Sequence, residues 1–235
     1  MASIYLIRHG QASFGSENYD RLSALGETQA ELIGAHLART GVRFDAAYSG
    51  TLERQRRTAT LALQAQEDAP ALQIDERLDE VRNDEHLEYL LPRVLEKRPE
   101  LQELIDAGLN SSKRFQKIIE AVFNYWVSPE CTEEAIQSWE DYSSGVQSML
   151  RDIINAQGAG RSTAVFTSGG TIAVFVAAVL GLPGSRTYQF YEPVFNCSIT
   201  QLFYSRDRVS LSYFNDCGFL RQLSAERGEQ LVTYR

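Results

Sequence analysis

The order of hydrophobic segments predicts an α/β protein: a three-layer α/β/α sandwich around a mostly parallel central sheet, with an antiparallel edge strand and a helical lid insertion. Two observations carry this. Short, nearly continuous apolar runs alternate with stretches of helical periodicity, the pattern of strands buried on both faces and their crossover helices. The alternation breaks once, over a charged helical stretch from about residue 84 to 138, and then resumes. The 235 residues are 43% hydrophobic, ample for a sizeable core. No repeat, low-complexity tract or Pro/Gly/Ser linker divides them, so residues 1–235 read as a single domain carrying the lid.

Ser3 to Ile7 is apolar and stops at Arg8, as a buried strand does. Ser23 sits where a helix N-cap belongs, ahead of ALGETQAELIGAHLA with Ile33 and Leu37 four residues apart. Phe44 to Tyr48 reads as a second strand, Leu52 to about Ala65 as a second helix, and Leu72 to Asp75 as a third strand. In the insertion, Phe115, Ile118, Ile119, Val122, Phe123 and Trp126 form one helical stripe, a packing face. A long helix follows through Trp139, Tyr142, Val146, Leu150, Ile153 and Ile154, and Thr163 to Phe166 returns to the strand pattern. Ser198 to Tyr204 and Val209 to Phe214 alternate around Ser205-Arg206-Asp207-Arg208, the mark of a terminal hairpin.

The composition narrows the partners. Twenty-three Lys and Arg stand against 31 Asp and Glu, a net charge of −8 that repels a nucleic-acid backbone. An anionic substrate therefore has to be held by local arginines. Cys131, Cys197 and Cys217 show no CxxC spacing and their odd number argues against a disulfide framework, so a cytoplasmic location is expected. MASIYLIRHG reads as a buried strand and not a signal peptide. The most apolar stretch, Thr171 to Leu182, falls short of the roughly 20 residues that cross a bilayer, so no membrane partner is expected. The oligomeric state is not readable.

In open α/β sheets, ligands bind beyond the carboxyl ends of the strands, near helix N-termini. Three such exits carry suggestive residues: Arg8-His9-Gly10, Ser49-Gly50-Thr51 leading to Arg54, and Ser168-Gly169-Gly170-Thr171. Taken singly, each has a bland reading. His9 reads as a structural histidine, Arg54 as part of a solvated face with Arg56 and Arg57, and Glu80 as one of several exposed acids. His36 and His86 lack any metal-ligand spacing. Asn196, Cys197 and Ser198 fall near a strand start without a chemical reason to place them in a site.

Together the segments LIRHG at 6–10, YSGTLERQRRTA at 48–59, RLDE at 77–80 and VFTSGGTI at 165–172 resemble the histidine phosphatase superfamily, the phosphoglycerate-mutase-like proteins, with YDRLSALGETQA and VLGLP as further matches. The resemblance implies that His9 attacks a substrate phosphorus and becomes phosphohistidine. It implies that Arg8 and Arg54 hold the phosphoryl oxygens, that Gly10 lets the backbone approach them, and that Glu80 serves as acid and then base. No metal and no cofactor is called for, and the partner is a small phosphorylated substrate.

Two departures qualify it. The strand before the glycines usually ends in a second histidine in this family, and Ser168 stands there, so Ser168 and Gly169 would meet the phosphate with a hydroxyl and a backbone N–H. The loop between His9 and Ser23 is short and Glu80 is followed by Val81-Arg82-Asn83-Asp84, which favours a phosphatase over a phosphoglycerate mutase. The expected activity is a phosphomonoesterase, slowed by Ser168; the alternative is a catalytically weak or inactive phosphate-binding protein. Selectivity is expected from the lid, where Tyr89, Arg93, Arg98, Lys113, Arg114 and Tyr125 face inward or outward.

Overall fold

A computed structural model describes residues 2–13, 20–108, 112–205 and 208–234. Among these, a mixed sheet of six strands runs β3-β2-β4-β1-β5-β6. The strands are β1 (Ala2–Arg8), β2 (Ala46–Ser49), β3 (Leu72–Ile74), β4 (Ser162–Thr167), β5 (Ile199–Ser205) and β6 (Arg208–Asp216). The helices are α1 (Ala24–Arg39), α2 (Glu53–Leu63), α3 (Asn83–Lys97), α4 (Gln102–Asp106), α5 (Ser112–Trp126), α6 (Trp139–Gln157), α7 (Gly169–Val179), α8 (Tyr188–Tyr191) and α9 (Gly218–Arg227).

β1 to β4 pair in parallel, β5 runs antiparallel to β1, and β6 turns back along β5. The hairpin is therefore present, with the reversed strand one place in from the edge and β6 closing it; its turn, at 206–207, lies outside the described residues. Strand alternation explains the layers, because successive side chains point to opposite faces. Ile4 and Leu6 of β1 pack with α3, α5, α6 and α7 on one face, whereas Tyr5 and Ile7 pack with α1, α2 and α9 on the other. This is the three-layer α/β/α arrangement that the sequence predicts.

The stripe on α5 is a packing face as read: Ile118, Ile119, Val122, Phe123 and Trp126 are buried in the core that reaches the sheet, while Phe115 is only partly buried. β3 is shorter and more exposed than its neighbours, as an edge strand. Most of the apolar run at 171–182 lies in the buried α7, whose first nine residues are all buried. Among the described residues no helix is long and apolar enough to cross a membrane. Two helices, α8 and α9, were invisible in the periodicity; α8 has one turn, and α9 buries only Phe219 and Leu220.

Candidate active site

The carboxyl end of β1 is clamped from three sides. The His9 backbone N–H donates to the Thr167 carbonyl at 2.9 Å, the Cys197 N–H to the Arg8 carbonyl at 3.1 Å, and the Asn196 amide to the His9 carbonyl at 3.1 Å. Asn196 and Cys197 thus hold the loop after β1 by its backbone, a role the sequence did not disclose. Gly10 donates its N–H to Thr58 Oγ1 at 3.0 Å, and a Cβ there would lie 2.3 Å from the Gly26 carbonyl oxygen. Its missing side chain serves the packing of this loop on α1.

His9 is 3% exposed. Its Nδ1 lies 2.7 Å from the Gly10 carbonyl oxygen, and Arg54 Nε donates to its Nε2 at 3.3 Å. A carbonyl only accepts and a guanidinium only donates, so these partners select the neutral tautomer with the proton on Nδ1 and a lone pair on Nε2. Burial, reinforced by the charges of Arg54 and Arg8, holds its pKa well below the ordinary imidazole value. Arg54, at the start of α2, is fixed by Asp20, whose Oδ1 accepts from Nη1 at 2.7 Å while Oδ2 accepts from the Glu53 N–H at 2.8 Å. Arg8 Nη1 donates to the carbonyls of Val194 and, at 3.0 Å, Tyr234. Arg54 thus meets the His9 imidazole across 45 residues of chain, and Arg8 lines the same cavity.

Glu80 is carried by a strap of residues after β3. Thr167 Oγ1 and the Gln55 amide donate to the Leu78 carbonyl at 2.5 and 3.0 Å, and Thr171 Oγ1 and the Tyr142 hydroxyl donate to the Asp79 carbonyl at 2.6 and 3.2 Å. Asp79 in turn accepts from the Thr51 hydroxyl at 2.6 Å, and Arg77 bridges Asp75 and Asp152. The Glu80 carboxylate accepts from the N–H groups of Val81 at 2.9 Å and Gly170 at 3.0 Å. Burial raises its pKa, opposed by Arg54, Arg8 and those two N–H groups. The desolvation wins, so the group holds a proton to higher pH than an ordinary glutamate.

Arg8, His9, Arg54 and Glu80 line one cavity of about 640 Å³, together with residues of α3, α5 and α8. Gly10, Ser168 and Gly169 are not among its lining residues. Ser168 is wholly buried and its Oγ accepts from the Gln55 amide at 2.8 Å; a Cβ on Gly169 would meet the Tyr191 ring at 3.2 Å. These two residues support the wall from behind. The lid contributes other side chains than those singled out by sequence: Asn83, Asp84, Glu85, Phe115, Gln116 and Ile119 line the cavity, whereas Tyr89, Arg93, Arg98, Arg114 and Tyr125 do not, and Lys113 lines only a smaller neighbouring dip. His86 is buried against Trp126, ring centroids 4.2 Å apart, outside the cavity lining; His36 stacks on Phe219.

The class of protein follows from the comparisons. A model of the histidine phosphatase superfamily (branch 1) matches residues 4–217, and the chain belongs to that family. Solved structures agree at the level of fold. A phosphoserine phosphatase variant from Entamoeba histolytica in complex with phosphoserine is 18% identical, with 94% of this chain and 100% of that one covered at a TM-score of 0.65. A mycobacterial glucosyl-3-phosphoglycerate phosphatase is 21% identical, 91% and 98% covered, at 0.60. A phosphoglycerate mutase from Bacillus anthracis is 19% identical, 93% and 94% covered, at 0.65. No curated protein sequence matches the chain.

Proposed function

We propose that this protein is a phosphomonoesterase that hydrolyses a small phosphorylated substrate through a phosphohistidine on His9. One observation carries the reading: a neutral imidazole whose Nδ1 proton is held by Gly10 and whose Nε2 lone pair faces the Arg54 guanidinium at 3.3 Å. That lone pair attacks phosphorus, the bond to the leaving oxygen breaks, and the protonated Glu80 gives that oxygen its proton. Arg8 and Arg54 take the charge on the phosphoryl oxygens. Water then attacks the phosphohistidine, the Glu80 carboxylate accepts the water proton, the P–N bond breaks, and orthophosphate leaves with the imidazole neutral again. No cofactor enters this sequence.

Hydrolysis of p-nitrophenyl phosphate from pH 5 to 8 is the test. His9→Ala is expected to abolish turnover, and acid-labile phosphate is expected on the wild-type chain alone; equal turnover in the two proteins overturns the reading. The relatives named as phosphatases and the short loop after His9 favour hydrolysis over mutase chemistry. A second reading, a weak or inactive phosphate binder, draws on Ser168: its hydroxyl is turned to Gln55, and among the described lining residues of the cavity His9 is the one imidazole. Thermal protection by vanadate without turnover would favour that binder. The three free cysteines support a cytoplasmic location, and the helices between 84 and 138, where they border the cavity, support a lid on a single domain over 1–235.

A further inference from the structure

We infer that Gln55 is a positioning residue for Glu80: its one amide nitrogen anchors both partners of the hydrogen bond that aims the acid. The inference rests on the phosphatase reading above and concerns a side chain that does not touch the substrate. Gln55 follows Arg54 in α2, is wholly buried and is not among the residues that line the cavity. Its Nε2 donates to the Leu78 carbonyl at 3.0 Å and to Ser168 Oγ at 2.8 Å. A carbonyl only accepts, so the nitrogen end of the amide has to face Leu78. Leu78 stands two residues before Glu80. Ser168 stands two residues before Gly170, whose N–H donates to the Glu80 carboxylate at 3.0 Å. The acid and its donor are thus held at equal remove by the same group.

The other end of the amide argues against a purely structural role. Among the described residues Gln55 Oε1 has no hydrogen-bond partner, and a buried carbonyl left unpaired destabilises a fold. Gly50 leaves it room, since a Cβ there would lie 2.0 Å from that oxygen and 2.5 Å from Asp79 Oδ1. Methionine in place of Gln55 would remove the unpaired oxygen, and the Leu78 carbonyl would keep Thr167 Oγ1 as a donor at 2.5 Å. What would be lost is the tie between the two segments that meet at Glu80. The helix that brings Arg54 to the cavity therefore also fixes the segment that brings Glu80 there.

Gln55→Met is the test, read on two esters. On an alkyl phosphate kcat should fall about 10-fold or more, a share of the roughly 10²–10⁴-fold that a positioned acid supplies. On p-nitrophenyl phosphate, whose leaving group needs little protonation, the fall should stay below about threefold. Inhibition by orthophosphate, which reads the arginines, should stay within about twofold of the wild type. In a Glu80→Gln background the same substitution should cost nothing further, because a residue that acts through another has no separate effect. Equal losses on the two esters, a weakened orthophosphate inhibition, or a full loss that persists in Glu80→Gln overturns the inference. Ser168→Ala removes a single hydroxyl and keeps the question open to measurement if Gln55→Met does not fold. It should show the same split between the esters at smaller size, and an even loss, or none, overturns the inference as well. His9→Ala separates the two ideas: if it leaves turnover intact, the catalytic reading itself fails.

Discussion

At Gly170 an absent side chain matters as much as any that is present. A Cβ there would lie 2.4 Å from Glu80 Oε1, the atom that accepts the Gly170 N–H. Gly170→Ala should therefore push the carboxyl out of register and lower kcat by roughly 10²-fold, the lower end of what general acid–base catalysis contributes. The loss should be larger for an alkyl phosphate than for p-nitrophenyl phosphate, whose leaving group needs little protonation; an equal loss on both would assign the damage to packing. The two displaced pKa values fix a pH dependence with a definite sign. In the proposed mechanism His9 acts deprotonated, and its lowered pKa extends activity toward acid; Glu80 acts first as a protonated acid, and its raised pKa carries activity to higher pH than an ordinary glutamate would. The kcat/KM profile should be bell-shaped, with an acid limb below the ordinary imidazole pKa and a basic limb above the ordinary carboxyl pKa; an acid limb at or above about 6.5 would contradict the assignment. Arg8, His9, Arg54 and Glu80 were legible because a motif keeps chemistry at fixed offsets from strand ends. Asp20, Gln55 and Asn196 were not, because each works through one hydrogen bond to an atom remote in sequence, which leaves no local pattern. Ser168 was placed correctly on the chain, at the N-cap of α7, but no sequence signal says that its hydroxyl turns toward Gln55.

The elements of the lid answer to a different physics. α3 and α5 pack through Leu90, Val94, Ile118, Val122 and Trp126, and the α5 half of that contact was readable from its period. Within it His86 is buried against Trp126, and burial alone lowers its pKa to about 4. In the unfolded chain it takes up a proton near 6.5, so stability falls as pH drops from 6.5 toward 4. At about 1.4 kcal/mol for each tenfold step in proton affinity, that interval amounts to roughly 3 kcal/mol. His86→Leu should flatten the acid limb of a denaturation series between those pH values, and an unchanged slope would show that other groups carry it. Boundaries were read less well than faces. Phe44 stays outside β2 yet is buried under Tyr5, so burial imitated a strand residue; α8 and α9 are too short or too little buried to announce themselves.

At the scale of the molecule, a chain of net charge −8 brings two arginines, from the end of β1 and the start of α2, into one cavity at the end of its sheet, where the proposed function needs an anion to bind. Anything that binds the folded chain alone stabilises it, by about 2.7 kcal/mol at a concentration 100 times Kd. For a chain of this size, orthophosphate at that level should raise Tm by roughly 5–10 °C. Arg54→Ala should abolish the rise, and a rise that survives would place the anion elsewhere. The sheet order itself follows from rules that local sequence expresses, since parallel strands with crossover helices and a closing hairpin leave few alternatives. What closes the site is less local. Arg8 is held by the carbonyl of Tyr234, 226 residues later, and Gln29 by Leu231 and Thr233. A polypeptide cut after α9, then, keeps His9 and Arg54 but loses the Tyr234 carbonyl that holds Arg8, so whatever anion affinity depends on the aim of that guanidinium should fall with the cut.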